Sequence, residues 1–341
     1  MKSPILKSFN KTCLRPLSGA LLACALAAPA LADWQPTKAV EIVVPAGAGG
    51  AADQMARTIQ GIVLKHQLMK QPILVMNKSG ASGAEGIMDV KDAKGDPHKL
   101  MAAFSAIYTL PVAVNLPFNW RDLNPVAMTA LDEFLLWVNV ETPYKTAKEY
   151  LAAVKAGTPE SFKMGGTGSK REDHIITVAL DKINGTKFTY IPYKSGGEAA
   201  TQLVGKHIDS NVNNPSENVA QWRAGQVRAL CVFSAQRMVY KDKVTKDQSW
   251  ADIPTCKESG IDVEYQMLRG FFIPSGTSKD QVNFYVELLK KVSATPEWKD
   301  YLAKQALKEV FLTGPDFVKF LEKDEAFHNK LMNEAGFAHK K

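Results

Sequence analysis

Two hydrophobic periods alternate along the chain. Short runs of apolar and β-branched residues such as Val40–Val44, Ile73–Met76 and Lys99–Phe104 are each followed by a stretch with helical spacing. The clearest pair is "VEIVV" followed by "ADQMARTIQGIVLKHQ", where apolar positions recur every three to four residues. The same alternation resumes later through "FKMGG", a helix near Asp173 to Asn184, "KFTYIPYK", "GGEAATQLVG", "HIDSNVNN", "SENVAQWRAG" and "VRALCVFS". Strands alternating with helices predict α/β architecture with parallel sheets covered on both faces. Two β-rich passages, near Val126–Val140 and Val263–Pro274, have no helical partner and are expected to carry the chain from one lobe to another and back. The chain is expected to end in helices from Lys279 onward. The reading is therefore two lobes with a cleft between them: 33–134 with 268–341 as a discontinuous first lobe, and 135–267 as the second.

Residues 1–32 depart from this pattern. Lys2, Lys7, Lys11 and Arg15 precede the apolar run "LSGALLACALAAPALA", which ends in Ala30-Leu31-Ala32. A basic start, a short apolar stretch and a small-x-small site predict a secretory signal peptide cleaved after Ala32. The run is shorter than the roughly 20 apolar residues of a spanning helix. Cys24 would suit a lipoprotein signal, but eight largely apolar residues follow it before the cleavage site. Cleavage removes four positive charges and no negative ones, so the net charge falls from +7 to +3. No basic stripe with interleaved aromatics is present, so nucleic acid is not an expected partner.

Two cysteines remain, Cys231 in a strand-like run and Cys256 in the turn "DIPTCKESG". In an oxidising compartment such a pair favours a disulfide over two buried thiols. The six histidines are scattered without metal-ligand spacing, so no metal site is expected.

The candidate chemistry lies in five turns at strand ends. They are Pro45–Gly50 with Asp53 just inside the next helix; Asn77–Gly83; Phe104-Ser105; Gly165–Ser169 leading to His174; and Pro192–Gly197. Glycines let backbone N–H groups converge, and a helix N-terminus adds partial positive charge, so several such turns across two lobes suggest a dipolar cage for an anion. Gly47, Gly49 and Ala52 fit a relaxed dinucleotide fingerprint, but the second strand ends in Met76-Asn77-Lys78 rather than the acid that would hold a ribose. The Walker pattern and the nucleophile elbow are both absent. No catalytic residue and no cofactor are expected.

At these turns the chain resembles the Bug-type solute receptors of tripartite tricarboxylate transporters. Pro45, Gly49, Gly50 and Asp53 match the family's Pro-Phe-x-Pro-Gly-Gly-x-x-Asp loop, with Ala46 and Ala48 departing from it. Asn77 through Gly83 meet the Asn-Arg/Lys-x-Gly-Ala-Gly/Ser-Gly loop in full. Gly165, Thr167, Gly168 and His174 match a third motif loosely, Ile191–Ser195 echoes Val-Pro-Tyr-Lys-Gly, and "WRAGQVRALCVFS" and "DIPTCKESG" have family counterparts. The resemblance covers about Trp34 to Phe337. It implies a type II periplasmic binding protein that closes like a flytrap, a small carboxylate held largely by backbone amides, delivery to membrane components of the transporter, and no catalysis.

The implied ligand set is Ala46, Gly47, Ala48, Gly49, Gly50, Asp53, Asn77, Ser79, Gly80, Ala81, Ser82 and Ser105 from the first lobe, with Gly166, Thr167, Gly168, Ser169, His174, Tyr193 and Asn213 from the second. The protein is expected to be a periplasmic monomer. Small side chains at Ala46 and Ala48 would leave room for a bulky acid, whereas Lys170 and Arg171 would instead pair with a second carboxylate. The competing readings are a secreted dehydrogenase-like or hydrolase-like α/β enzyme and a receptor feeding a sensor kinase.

Overall fold

The computed structural model describes residues 34–339. The expected signal peptide, with Cys24, lies outside the described residues. In chain order the elements are β1 Val40–Val44, α1 Ala51–Lys65, β2 Ile73–Asn77, α2 Ala84–Asp92, β3 Lys99–Ala103, α3 Ala106–Val114, β4 Leu123–Glu133 and β5 Leu135–Asn139. Next come α4 Ala147–Ala156, β6 Lys163–Thr167, α5 Glu172–Asn184, β7 Thr189–Tyr193, α6 Gly196–Val204, β8 Ser210–Asn213, α7 Pro215–Arg223 and β9 Val227–Val232. The last are β10 Gln266–Pro274, α8 Lys279–Ser293, α9 Pro296–Gln305, β11 Lys308–Thr313 and α10 Gly314–Glu334. Among the described residues no helix is long and apolar enough to cross a membrane.

Local sequence explains the elements that position the site. In α1 the buried residues Ala52, Met55, Ala56, Ile59, Ile62 and Val63 form one stripe, which packs the helix on its sheet. In β1 four of five side chains are buried, as expected of a central strand covered on both faces. Ser195 caps α6 by accepting a hydrogen bond from the Glu198 amide, and Pro215 occupies the first turn of α7, where its missing N–H costs nothing.

The strands form two sheets, ordered β11-β4-β10-β3-β1-β2 and β7-β6-β8-β5-β9. Both are mixed, which corrects the expectation of parallel sheets. β1, β2 and β3 are parallel, as are β6, β7 and β8, but β10 runs antiparallel to β3 and β4, and β5 runs antiparallel to β8 and β9. The reason is topological. β4 leads out of the first sheet and into β5 of the second through Phe134, and β10 brings the chain back. A strand that returns beside the one that left must run the opposite way, and β4 and β10 pair from Leu123↔Pro274 to Glu133↔Gln266. Backbone bonds tie the passage together: the Phe233 N–H donates to Phe134 O at 2.9 Å and the Tyr265 N–H to Phe233 O at 2.6 Å.

Two elements differ from the sequence reading. β11 interrupts the C-terminal helices and pairs antiparallel with the edge of β4. α3 forms from "AIYTLPVAV", which is apolar all round and contains Pro111, so it carries neither a helical stripe nor a typical helix interior.

Cys231 and Cys256 form a disulfide, both residues fully buried, with Cα atoms 4.9 Å apart. The bond joins the end of β9 to the segment that leads back toward β10, spanning 25 positions of sequence. A loop of that size restricts the unfolded chain by about 3 kcal/mol. Cys256→Ala is therefore expected to lower unfolding stability by about 3 kcal/mol. Urea midpoints of the two proteins without reductant check this, and equal midpoints would show that the bond contributes nothing.

Candidate functional site

The first turn is fastened from behind. Asp53, 3% exposed, accepts a hydrogen bond from the Gly49 N–H at 2.9 Å and another from Arg57 Nε at 3.0 Å. Arg57 also donates to Asn77 Oδ1 at 3.1 Å, and Asn77 Nδ2 donates to Ala46 O at 3.2 Å. Burial pushes the Asp53 carboxyl up, but Arg57, the Gly49 amide and Asn77 outweigh it and hold the group below its ordinary value. Asp53 and Asn77 thus lock the first two turns together. At Gly83, φ is +101° and an added Cβ would strike Pro45 O, so only glycine lets the second turn lie against the first.

Each of four turns is capped by an acid from its own following helix. Asp53 takes the Gly49 amide, Glu85 the Gly80 amide at 3.1 Å, Asp173 the Thr167 amide, and Glu198 the Lys194 amide at 3.1 Å. These N–H groups are therefore already engaged. Among the described residues the amides of Gly47 and Ala48 donate to no protein acceptor. The acids after the turns are visible in the sequence, yet only Asp53 stands in the predicted set.

Two spaces that share part of their walls lie where the turns of the two sheets meet. The outer crevice, about 440 Å³, is lined by Pro45, Ala46, Ser79 and Ser82 from one side and Gly168, Ser169, Arg171, Pro192, Tyr193, Lys194 and Glu198 from the other. The inner cavity, about 40 Å³, shares Ala46, Arg171 and Lys194 with it. Its wall also includes Gly47, Gly50, Thr167, Glu172, Asp173, Glu217 and Arg269.

The other predicted residues stand apart from both linings: Ala48, Gly49, Asp53, Asn77, Gly80, Ala81, Ser105, Gly166, His174 and Asn213. The His174 ring stacks on Tyr190 at 4.0 Å, and its Nδ1 accepts from the Lys170 N–H at 3.1 Å. Burial first, then Lys170, push its pKa down to about 4, so it stays neutral. Ser105 is fully buried at the start of α3, and Asn213 donates to Gly196 O at 2.8 Å and to Asn218 Oδ1 at 2.6 Å. Lys170 does not line either space. Arg171 does, but it is buried, sits 3.3 Å from Glu172 and lies over the Phe104 ring at 4.8 Å.

Charged groups crowd the inner cavity. Arg269 and Asp132 form a buried ion pair, with Nε 2.9 Å from Oδ2. Burial raises the Asp132 and Asp173 carboxyls above their ordinary value, and for Asp173 far above it. The Glu217 carboxylate faces the amides of Ala51 and Gly196, the first residues of α1 and α6, which belong to different sheets. Burial pushes its pKa up to about 7 against the opposing pull of Arg269 and those two amides. Gly196 is indispensable here, since an added Cβ would collide with Glu217 Oε2 and Asn213 Oδ1. Gly196→Ala is accordingly expected to cost about 1–3 kcal/mol by overpacking. Thermal melts check this; an unshifted melting point would place Glu217 elsewhere.

Two α/β lobes joined by a double strand crossing, with a crevice where their turns converge, form the frame of a solute-binding site. The chain belongs to the tripartite tricarboxylate transporter receptor family, TctC, whose model matches residues 55–337. It is similar to Protein BugT of Bordetella pertussis, at 29% identity over 240 residues, covering 68% of this chain and 72% of BugT. Among solved structures, a TctC solute binding protein from Polaromonas is 29% identical with a TM-score of 0.64, covering 88% of this chain and 99% of that one. The R. palustris protein Rpa4515, solved with adipate, shares the fold at a TM-score of 0.81 and 22% identity, covering 90% of this chain and 99% of its own. The chain is thus a Bug-type receptor.

Proposed function

We propose that the protein is exported to the periplasm and, as a monomer, captures a small organic carboxylate in the outer crevice. It then delivers the solute to the membrane components of a tripartite transporter. On this reading the lobes divide at 134/135 and 267/268, and the crevice closes as they approach. The convergence of Ala46, Ser79 and Ser82 with Gly168, Ser169, Tyr193 and Lys194 on one crevice supports it. That space falls within the roughly 300–1,000 Å³ of small-molecule sites. The hydroxyls of Ser79, Ser82 and Ser169 on the crevice wall offer a carboxylate hydrogen-bond donors without a buried counter-ion. Exposed Lys194 adds a charge-assisted donor from the opposite side. A structural relative solved with adipate supports the carboxylate class.

The test is titration calorimetry with a panel of mono- and dicarboxylates. Lys194→Ala is expected to weaken the tightest of them about tenfold, the value of one hydrogen bond to a charged group. Ala46→Phe, which places a ring on the wall shared by both spaces, is expected to weaken bulky acids more than small ones. Unchanged affinities in both variants would move the site away from this crevice.

A further inference from the structure

A groove of about 500 Å³ lies at the strand crossing and shares no lining residue with the outer crevice or the inner cavity. The crossing strands explain the separation. Glu133 of β4 and Gln266 of β10 stand opposite each other in the ladder and line the groove, whereas their neighbours Phe134 and Met267 line the inner cavity. Successive side chains of a strand point to opposite faces, so the groove and the cavity lie on opposite faces of the crossing. The segment after β9 and the start of β11 supply the other walls of the groove.

Glu133 is 4% exposed where it lines the groove. Its Oε1 accepts a hydrogen bond from Gln266 Nε2 at 2.7 Å, but its Oε2 is buried with no partner among the described residues. The nearby Ser234 hydroxyl donates to Gln236 O instead. A buried oxygen in this position costs free energy until a ligand or a water meets it. The charges around it balance. Arg237 pairs with Glu258 at 2.9 Å and Glu309 pairs with Lys299, which leaves Lys308 and Glu133, one of each sign. The groove therefore calls for no net charge on its ligand. Burial pushes the Glu133 pKa up to about 7, against Gln266 and Lys308 and with help from Asp132. Near neutral pH the carboxyl is thus an acceptor in some molecules and a donor in others. A hydroxyl or an amide both donates and accepts, so it partners either form, whereas an ammonium only donates and a carboxylate only accepts. Apolar surface adjoins this polar end. Met238 is buried, Val239 is 74% exposed, and the Tyr240 hydroxyl is committed to Leu307 O, which leaves its ring to the groove.

We propose that this groove is a second binding site, for a small uncharged alcohol or amide with an apolar body. The hydroxyl or amide group meets Glu133 Oε2, and the apolar body covers Val239 and the Tyr240 ring. The volume falls within the roughly 300–1,000 Å³ of small-molecule sites. The assignment does not depend on which solute the outer crevice takes, because the two spaces have no wall in common.

Probes built on one ring test it: benzamide, benzyl alcohol, benzoate, benzylamine and toluene. Each is titrated into the full mature protein carrying isotope-labelled methionine methyls, and the Met238 signal, assigned by its loss in Met238→Leu, reads occupancy of the groove. Benzamide and benzyl alcohol are expected to shift that signal and to bind about tenfold or more tightly than the other three, the value of one hydrogen bond to a charged group. Glu133→Leu is expected to reduce both to the level of toluene. Glu133→Gln, which keeps the shape and a polar atom in place of Oε2, should retain the preference to within about threefold. Val239→Asp changes an exposed residue and should weaken both probes several-fold, so the test survives if Glu133→Leu does not fold. A Met238 signal unmoved by all the probes would mean that only water meets Glu133. Equal affinities across the set would mean an unselective apolar surface, and either result overturns the proposal.

Discussion

Arg269→Ala is expected to destabilise the protein by about 3–5 kcal/mol, the cost of leaving one member of a buried ion pair without its partner. The Arg269 and Asp132 side chains are 4% and 0% exposed, so the orphaned carboxylate has no route to water. The loss should also be pH-dependent. Burial already raises the Asp132 carboxyl above its ordinary value with Arg269 in place, and without the guanidinium it rises further. A carboxyl raised in the folded state binds its proton more readily than in the unfolded chain, so lowering pH favours the folded variant. The gap between variant and wild type therefore narrows as pH falls. Replacing both partners, as in Arg269→Met with Asp132→Leu, should recover most of the loss, because the desolvation cost of both charges disappears. Urea unfolding at neutral and mildly acidic pH measures all three proteins. A loss below about 1 kcal/mol for the single variant would mean that the pair is not buried in solution.

Trp137→Ala is expected to cost a similar amount, about 3–5 kcal/mol, through the cavity it leaves. Trp137 is fully buried and packs edge-on against Trp222 and Trp250, with ring centroids 5.9 and 6.3 Å away. Its indole N–H donates to Asn213 O at 3.3 Å, at the end of β8. Two residues on, α7 begins and carries Glu217 in its first turn. The substitution should therefore loosen the inner cavity as well as the core. Trp137→Phe, which keeps an aromatic ring in the core but removes the donor, should lose much less stability. The emission of the remaining tryptophans, followed through denaturant unfolding, reports both variants. Equal stabilities for Trp137→Ala and wild type would contradict the packing described.

The sequence made the site's frame legible wherever a local signal existed. The apolar run of β1, the glycine turn and the striped α1 each follow from residues adjacent in sequence, and so do the two strand-rich passages between the sheets. The disulfide partners were likewise legible, since cleavage of the expected signal peptide would leave only Cys231 and Cys256. Features set by distant partners were hidden. β11 is a six-residue strand whose ladder partner, β4, lies far back in the chain, so its short apolar run looks like a turn between helices. α3 is nearly all buried, which erases the polar face that would reveal its period. Glu217 reads in "PSENVAQ" as an ordinary first-turn acid. Its place between α1 and α6 emerges only when three helix starts from distant parts of the chain meet. The glycine turns were read as an open set of amides, yet acids four to six residues downstream occupy one amide in each of four turns. What remains for a solute in the outer crevice is narrower: a few hydroxyls and Lys194.

The most direct test of the receptor account is a crystal structure with the tightest-binding carboxylate. The account predicts the solute in the outer crevice, its carboxylate within hydrogen-bonding distance of the Ser79 or Ser82 hydroxyl and of Lys194 Nζ. Density for the solute elsewhere, such as the groove lined by Arg237, Tyr240 and Lys308, with the crevice empty, would contradict it.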